Sequence, residues 1–274
     1  MQPECQSRDV VADLHVHTQT SDGELALGNV PHAAKRAGVE VVAITDHDRI
    51  DADLSEPITT HDGIRVITGI ELRVATTSQR IDLLGYGVSR SRLEGLIEHL
   101  QQDRIERMRR MVARVESRLG ITADIVIEKG VGRPHLARAI ERHPDTCLDA
   151  QAAFATLIGD GKPCYVPRDI PDFDEGVATL RAACRFVGLA HPFRYEDPSA
   201  AIELARTLDG IERWYPYGRP IDEQPIRDAL AAWDLVATGG SDAHDVCLGR
   251  AGLDRDETAR FMDACGFEWE PAGS

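Results

Sequence analysis

Asp13-Leu14-His15-Val16-His17-Thr18, with Ser21-Asp22-Gly23 close behind, is the stretch around which the rest of the chain falls into place. Residues 10–16 alternate and are rich in β-branched side chains, the pattern of a strand. Side chains two apart on a strand share a face, which puts Asp13, His15 and His17 on one side. Val10, Ala12, Leu14 and Val16 then face an apolar layer. Paired imidazoles at a strand end make a poor core and a good metal clamp, although a lone His-x-His is as often a pair of hydrogen-bonded surface histidines. Four later segments add weight: Thr45-Asp46-His47-Asp48, Gly69-Ile70-Glu71, His191-Pro192 and Ser241-Asp242-Ala243-His244. Each follows an apolar run and ends in a side chain able to ligate a metal. Strand ends that repeatedly deliver His, Asp or Glu point to a multinuclear metal site.

The 274 residues suffice for one large α/β domain or two small ones, and 42% apolar content supports a full core. No run approaches the roughly 20 apolar residues of a membrane span. Met1-Gln2-Pro3-Glu4-Cys5 lacks the basic and apolar regions of a signal peptide, so a cytoplasmic protein without a membrane partner is expected. Cys5, Cys147, Cys164, Cys184, Cys247 and Cys265 show no CxxC spacing and read as packing thiols, Cys247 included. The 46 acidic residues outnumber 31 basic ones, for a net charge of −15, and the lysines are only Lys35, Lys129 and Lys162. Such a surface is unsuited to gripping a nucleic-acid duplex and suggests a halophilic setting, where salt screens the charge. A phosphate would have to be held by local metals and arginines.

Strands and helices alternate along the chain. Residues 25–37 predict a helix ended by Gly38, and residues 39–45 a strand running into Asp46-His47-Asp48. Residues 64–70 predict a third strand delivering Glu71, and residues 81–86 a fourth with Asp82 near its start. Functional residues at successive strand ends suggest a barrel or an open parallel sheet. Across residues 93–119 apolar side chains recur every three to four positions, a long amphipathic helix closed by Gly120. Pro134 suits the first turn of another helix through Arg142, and Asp149 can cap a third running to Ile158. Residues 89–168 therefore read as a helical insertion over the active site, between barrel segments 1–88 and 169–274. Alternation then resumes, with strands at 187–190, 211–214 and 235–238 and helices at 174–185, 200–208 and 226–233.

The set DLHVHTxxSDG, TDHD, GIE, GRPH, HP and GGSDAH resembles the polymerase-and-histidinol-phosphatase (PHP) family of metal-dependent phosphoesterases, from Asp13 to about Gly249 and in the family's motif order. It is most similar to the branch holding 3′,5′-nucleotide bisphosphate phosphatases and a related 5′-to-3′ exoribonuclease. That branch carries a helical insertion and a GKPxYVP segment, here Gly161-Lys162-Pro163-Cys164-Tyr165-Val166-Pro167. The resemblance implies an α/β fold, a distorted seven-stranded (β/α) barrel with a helical insertion. It also implies two or three divalent ions, Mn²⁺ favoured and Zn²⁺ or Fe²⁺ acceptable. His15, His17, Glu71 and Asp242 would hold one ion, and Asp22, His47 and His244 a second. Glu71 would bridge to a third, held also by His191 and the residue eleven after the glutamate. There the family segment resembles xHLLGY, whereas this chain has Ile81-Asp82-Leu83-Leu84-Gly85-Tyr86. Asp82 is then the expected ligand, a harder donor that tilts the site towards Mn²⁺. A second departure is Glu212-Arg213-Trp214-Tyr215-Pro216-Tyr217-Gly218, where the branch has a tyrosine pair followed by a histidine.

Arginine suits phosphate through its planar fork of donors. Arg104 and Arg107 lie one turn apart on the long helix, where the branch has basic residues that meet the substrate; a solvated helix face is the plain alternative. Arg133 and His135 flank Pro134 at a helix start, and Lys162 is a further cation. His135 could donate a proton to the leaving group or bind phosphate. Asp13 and Asp46, next to ligands, are candidates to orient an imidazole. His32, His61, His99 and His143 fall outside every motif and read as surface residues. The expected activity is metal-dependent hydrolysis of a phosphate monoester of a small nucleotide such as a 3′,5′-bisphosphate. The alternatives are a 5′-to-3′ exonuclease acting on a short RNA end and a non-catalytic metal-binding module.

Overall fold

The computed structural model describes residues 9–128 and 130–269, so Cys5 and Lys129 lie outside the described residues. The strands are β1 (Ala12–Val16), β2 (Val41–Ile44), β3 (Ile58–His61), β4 (Ile64–Ala75), β5 (Arg80–Tyr86), β6 (Phe186–Leu189), β7 (Gly210–Trp214) and β8 (Val236–Gly239). The helices are α1 (Val30–Ala37), α2 (Glu94–Leu119), α3 (Arg133–Arg142), α4 (Ala150–Ala153), α5 (Phe173–Ala183), α6 (Pro198–Leu204), α7 (Gln224–Trp233) and α8 (Arg255–Ala264). The chain divides into two compact units, one made of Met1–Glu94 with Pro171–Ser274 and the other of Gly95–Ile170. No helix among the described residues is long and apolar enough to cross a membrane.

In the first unit the strand order is β1-β2-β4-β5-β6-β7-β8, with β3 paired to β4 off that path. Val16 bridges to Ala243, and the His17 N–H donates to the Ala243 carbonyl at 3.0 Å, so the sheet nearly closes into a seven-stranded barrel. The distortion lies in β5, which runs antiparallel to both β4 and β6 while the other pairs on the path are parallel. Residues 76–79 are too short to carry a crossover, so β5 must turn back. Its beginning therefore reaches the rim where the parallel strands end. The β3–β4 hairpin, which the alternating pattern did not reveal, turns at Asp62 (φ 53°) and Gly63 (φ 83°), the backbone that an Asp-Gly pair favours.

The core of this unit gathers Leu14, Val41, Ile67 and Leu84 with an aromatic cluster of Tyr86, Phe186 and Phe261. Their ring centroids lie 5.1–6.0 Å apart, tilted or edge to face. Phe261 comes from α8, also absent from the sequence expectations; Asp254 and Glu257 form its capping box. In the second unit one face of α2, with Met108, Met111 and Val115, packs with Leu136 and Ile140 of α3 and with Leu157 and Ile158. Asp149 caps α4 by accepting from the Ala152 N–H at 2.7 Å, and the chain continues as a wider π-type turn over Phe154–Ile158. Cys164 and Cys265 are buried, but Cys147 and Cys247 are exposed, so the packing role expected of Cys247 is not met. His32, His61 and His99 are exposed and His143 is half-buried.

Candidate metal centre

The barrel rim collects its polar side chains from successive strand ends. His15 lies in β1 and His17 just past it, Glu71 lies within β4, and His191 follows β6. Asp242 and His244 follow β8, and His47 pairs with Glu71 through an isolated parallel bridge. Two of these residues carry a left-handed backbone rare outside glycine, His191 at φ 25° and Asp242 at φ 48°. Holding each costs on the order of 1–3 kcal/mol and is typical of sites whose surroundings over-determine them. Gly240 explains the Gly-Gly pair before Asp242: a Cβ there would come within 2.3 Å of the His15 amide nitrogen. Only glycine lets the loop after β8 lie against β1.

Glu71 is buried at the centre. Its Oε2 stands 2.7 Å from His47 Nδ1, 3.4 Å from His17 Nε2 and 3.5 Å from His15 Nε2, while Oε1 stands 3.0 Å from His191 Nε2. Asp242 turns Oδ1 to His17 Nε2 at 3.0 Å and to His15 Nε2 at 3.5 Å. Its other oxygen accepts from Tyr215 at 2.8 Å and from Arg194 at 3.0 Å. Ligand atoms lie within 4.8 Å of one another in three overlapping groups: His17, Asp22, His47 and His244; His15, Glu71 and His191; and His15, His17 and Asp242. Asp82 is where the expected ligand set and the structure part. It is outside these groups, and both of its oxygens accept from Arg73, each at 2.7 Å.

The carboxylate that orients an imidazole is Glu212 on β7. It is buried, faces His15 Nδ1 at 3.1 Å and accepts from the His191 N–H at 2.7 Å. The bond at Nδ1 turns His15 Nε2 towards Glu71 and Asp242. A lone glutamate in the short strand 211–214 was the only signal for this role. Asp13 and Asp46, expected there, instead tie the backbone together. Asp13 accepts from the N–H and Oγ of Ser241 and from the Gly249 N–H, and Asp46 from the N–H and Oγ1 of Thr18 and from Ser21 Oγ.

Burial opposes charge on His15, but the carboxylates of Glu212, Glu71 and Asp242 hold its pKa well above the usual imidazole value. Burial, reinforced by His47, drives His17 down to about 4. Burial also opposes charge on His47, yet Glu71 and then Asp22 lift it to about 9. Glu71, despite its burial, is held well below the carboxylate range by His47 and His15. Buried His15 Nε2, His17 Nδ1 and Nε2, Glu71 Oε2 and His191 Nδ1 make no well-aligned hydrogen bond. Unsatisfied buried polar atoms are costly, and five on one rim need a ligand. The mixed imidazole and carboxylate donors fit borderline divalent cations.

The remaining candidates lie in the helical unit. Arg107 is buried, donates from Nε to the Val166 carbonyl at 2.6 Å and lies over the Tyr165 ring. Burial pushes its guanidinium down to about 10, with the charges of Arg133, Arg168 and Arg104 adding to the effect. These arginines thus form one cationic cluster, and Arg168 is a member that the motifs did not mark. Arg133 pairs with Asp160 at 2.5 Å. His135 Nδ1 accepts from the Gly132 N–H at 3.0 Å, capping its own helix. Lys162 is exposed.

A family model described as PHP domain matches residues 13–153. The chain is 28% identical over 251 residues to a 5′-3′ exoribonuclease of Haemophilus influenzae, covering 86% of this chain and 90% of that protein. It is also 28% identical over 276 residues to a 3′,5′-nucleoside bisphosphate phosphatase of Chromobacterium violaceum, covering 94% of each. A solved structure from Bifidobacterium adolescentis shares the fold, with a TM-score of 0.74 at 24% identity over 92% of this chain and 96% of that one.

Proposed function

The chain belongs to the PHP domain family, and from that premise we propose a metal-dependent phosphoesterase that releases phosphate from a small nucleotide, with a 3′,5′-bisphosphate the preferred substrate. The observation that carries this reading is the convergence of His15, His17, His47, His191 and His244 with Asp22, Glu71 and Asp242 on one rim, several of their buried atoms making no well-aligned hydrogen bond. Divalent ions bound there, Mn²⁺ foremost, supply a nucleophilic water at neutral pH and draw negative charge from the phosphoryl oxygens. Glu212 keeps His15 in register and Asp242 is aimed by Tyr215 and Arg194. Asp22 and His244, with side chains 34% and 41% exposed, form the side of the rim open to solvent, where a phosphate can enter.

Within the helical unit Arg104 and Arg133, backed by Arg107 and Arg168, supply positive charge that the acidic surface lacks and that, with His135, suits a phosphate group. Lys162 adds a further cation. Arg104→Ala is expected to raise KM for a nucleoside 3′,5′-bisphosphate roughly tenfold, about the worth of one charged hydrogen bond, and to leave KM for a small aryl phosphate nearly unchanged. Equal effects on the two substrates would remove Arg104 from this role.

A 5′-to-3′ exonuclease is the second reading, supported by similarity to the H. influenzae enzyme along 90% of its length. Phosphate and nucleotide release from mono- and bisphosphorylated nucleotides and from short 5′-phosphorylated RNAs, with Mn²⁺ present, separates the two. Faster turnover of bisphosphates is expected. Faster turnover of RNA would replace this reading with the second, and no release from any substrate would favour a non-catalytic metal-binding module.

A further inference from the structure

We infer that Arg73, clamped by Asp82, takes the place of a third divalent ion, so that the rim binds two ions and presents one fixed guanidinium. The inference rests on the metal-centre reading above and specifies its stoichiometry. Arg73 and Asp82 stand directly opposite each other in the antiparallel β4–β5 pair, and Arg73 shares a face with Glu71, two residues before it. Nε and Nη2 of Arg73 each donate to a different oxygen of Asp82 at 2.7 Å, a fork-to-fork bond in which Asp82 is 1% exposed. Asp82 Oδ2 lies 3.9 Å from His191 Nε2, so it stands where a ligand for an ion shared with Glu71 and His191 would stand. Its lone pairs are directed at the guanidinium. Without Asp82, that position keeps Glu71 and His191, while His15 is shared with the group at Asp242. The third donor there, His15 Nε2, stands 3.5 Å from both Glu71 and Asp242 and can ligate only one ion, so when it serves the ion at Asp242 the position falls short of the three or four protein ligands such ions take. A divalent ion would also sit against the guanidinium cation that Asp82 fixes through both of its oxygens.

The guanidinium remains available to an anion. The Arg73 side chain is 39% exposed, and Nη1 takes no part in the pair with Asp82. A planar donor edge next to Glu71 suits a phosphoryl oxygen.

The test is metal content. Protein loaded with excess Mn²⁺ and freed of unbound metal is analysed by mass spectrometry, with thermal melting as a check on folding. Two ions per chain are expected for the wild type and for Arg73→Lys, which keeps the cation. Three are expected for Arg73→Gln, which releases Asp82, and two again for Arg73→Gln with Asp82→Asn. Three ions in the wild type, or two in folded Arg73→Gln, overturn the inference. If Arg73→Gln does not fold, the wild-type count decides alone. An absence of bound ions in the wild type would overturn the metal-centre reading itself and this inference with it.

Discussion

His17→Ala and Asp242→Asn are each expected to lose at least about a thousandfold in kcat/KM, on the order of 4 kcal/mol of transition-state stabilisation, while melting within a few degrees of the wild type. The separation of activity from stability follows from what each side chain touches. His17 is fully buried, its pKa is driven to about 4, and neither ring nitrogen makes a well-aligned hydrogen bond. In stability terms it is a burden, because a buried polar group without a partner costs roughly 1–3 kcal/mol. The cost of the cavity it leaves and the relief of its poorly bonded ring should then roughly offset, so the melting temperature stays within a few degrees. Asn at position 242 tolerates the left-handed backbone and can keep the bonds from Tyr215 and Arg194. What it loses is the charge that a divalent ion requires. Wild-type turnover in either variant would show that the rim is not the reacting centre. Unfolding of both would show that these residues are structural.

Glu212→Gln should weaken metal binding by about 10- to 100-fold, the usual effect of losing a carboxylate behind a ligating imidazole. Glu212 is absent from the converging ligand groups, so excess Mn²⁺ should restore most of the turnover. The amide can still meet the His15 ring and the His191 N–H, which keeps the fold intact, but it no longer strengthens the basicity of His15. A loss of kcat that excess metal leaves unrepaired would contradict this positioning role and place Glu212 among the reacting groups.

The residues that converge were legible in the sequence because strand periodicity and short motifs state them locally. His15 and His17 sit two apart on β1, and Glu71, His191 and Asp242 each follow an apolar run. The barrel was legible for the same reason. Features that depend on partners far along the chain were not. Glu212 meets His15 across 197 residues, and nothing in the sequence around either residue announces the pair. Asp13 and Asp46 sit beside histidines in sequence, yet their partners are Ser241, Gly249, Thr18 and Ser21. The Arg73–Asp82 pair follows from the turn between β4 and β5, because only an antiparallel register brings these two side chains together. By contrast, the Asp62-Gly63 hairpin and the Asp254–Glu257 capping box carried local signals that hydrophobic periodicity alone does not read.

Metal dependence tests the central claim most directly. The chain is stripped with a chelator, dialysed, and assayed for phosphate release from a nucleoside 3′,5′-bisphosphate as Mn²⁺ is added back. The stripped protein should release none, and turnover should rise to saturation as the rim fills. Full turnover in the stripped protein, or no turnover at any Mn²⁺ concentration in protein shown to be folded and loaded, would contradict it.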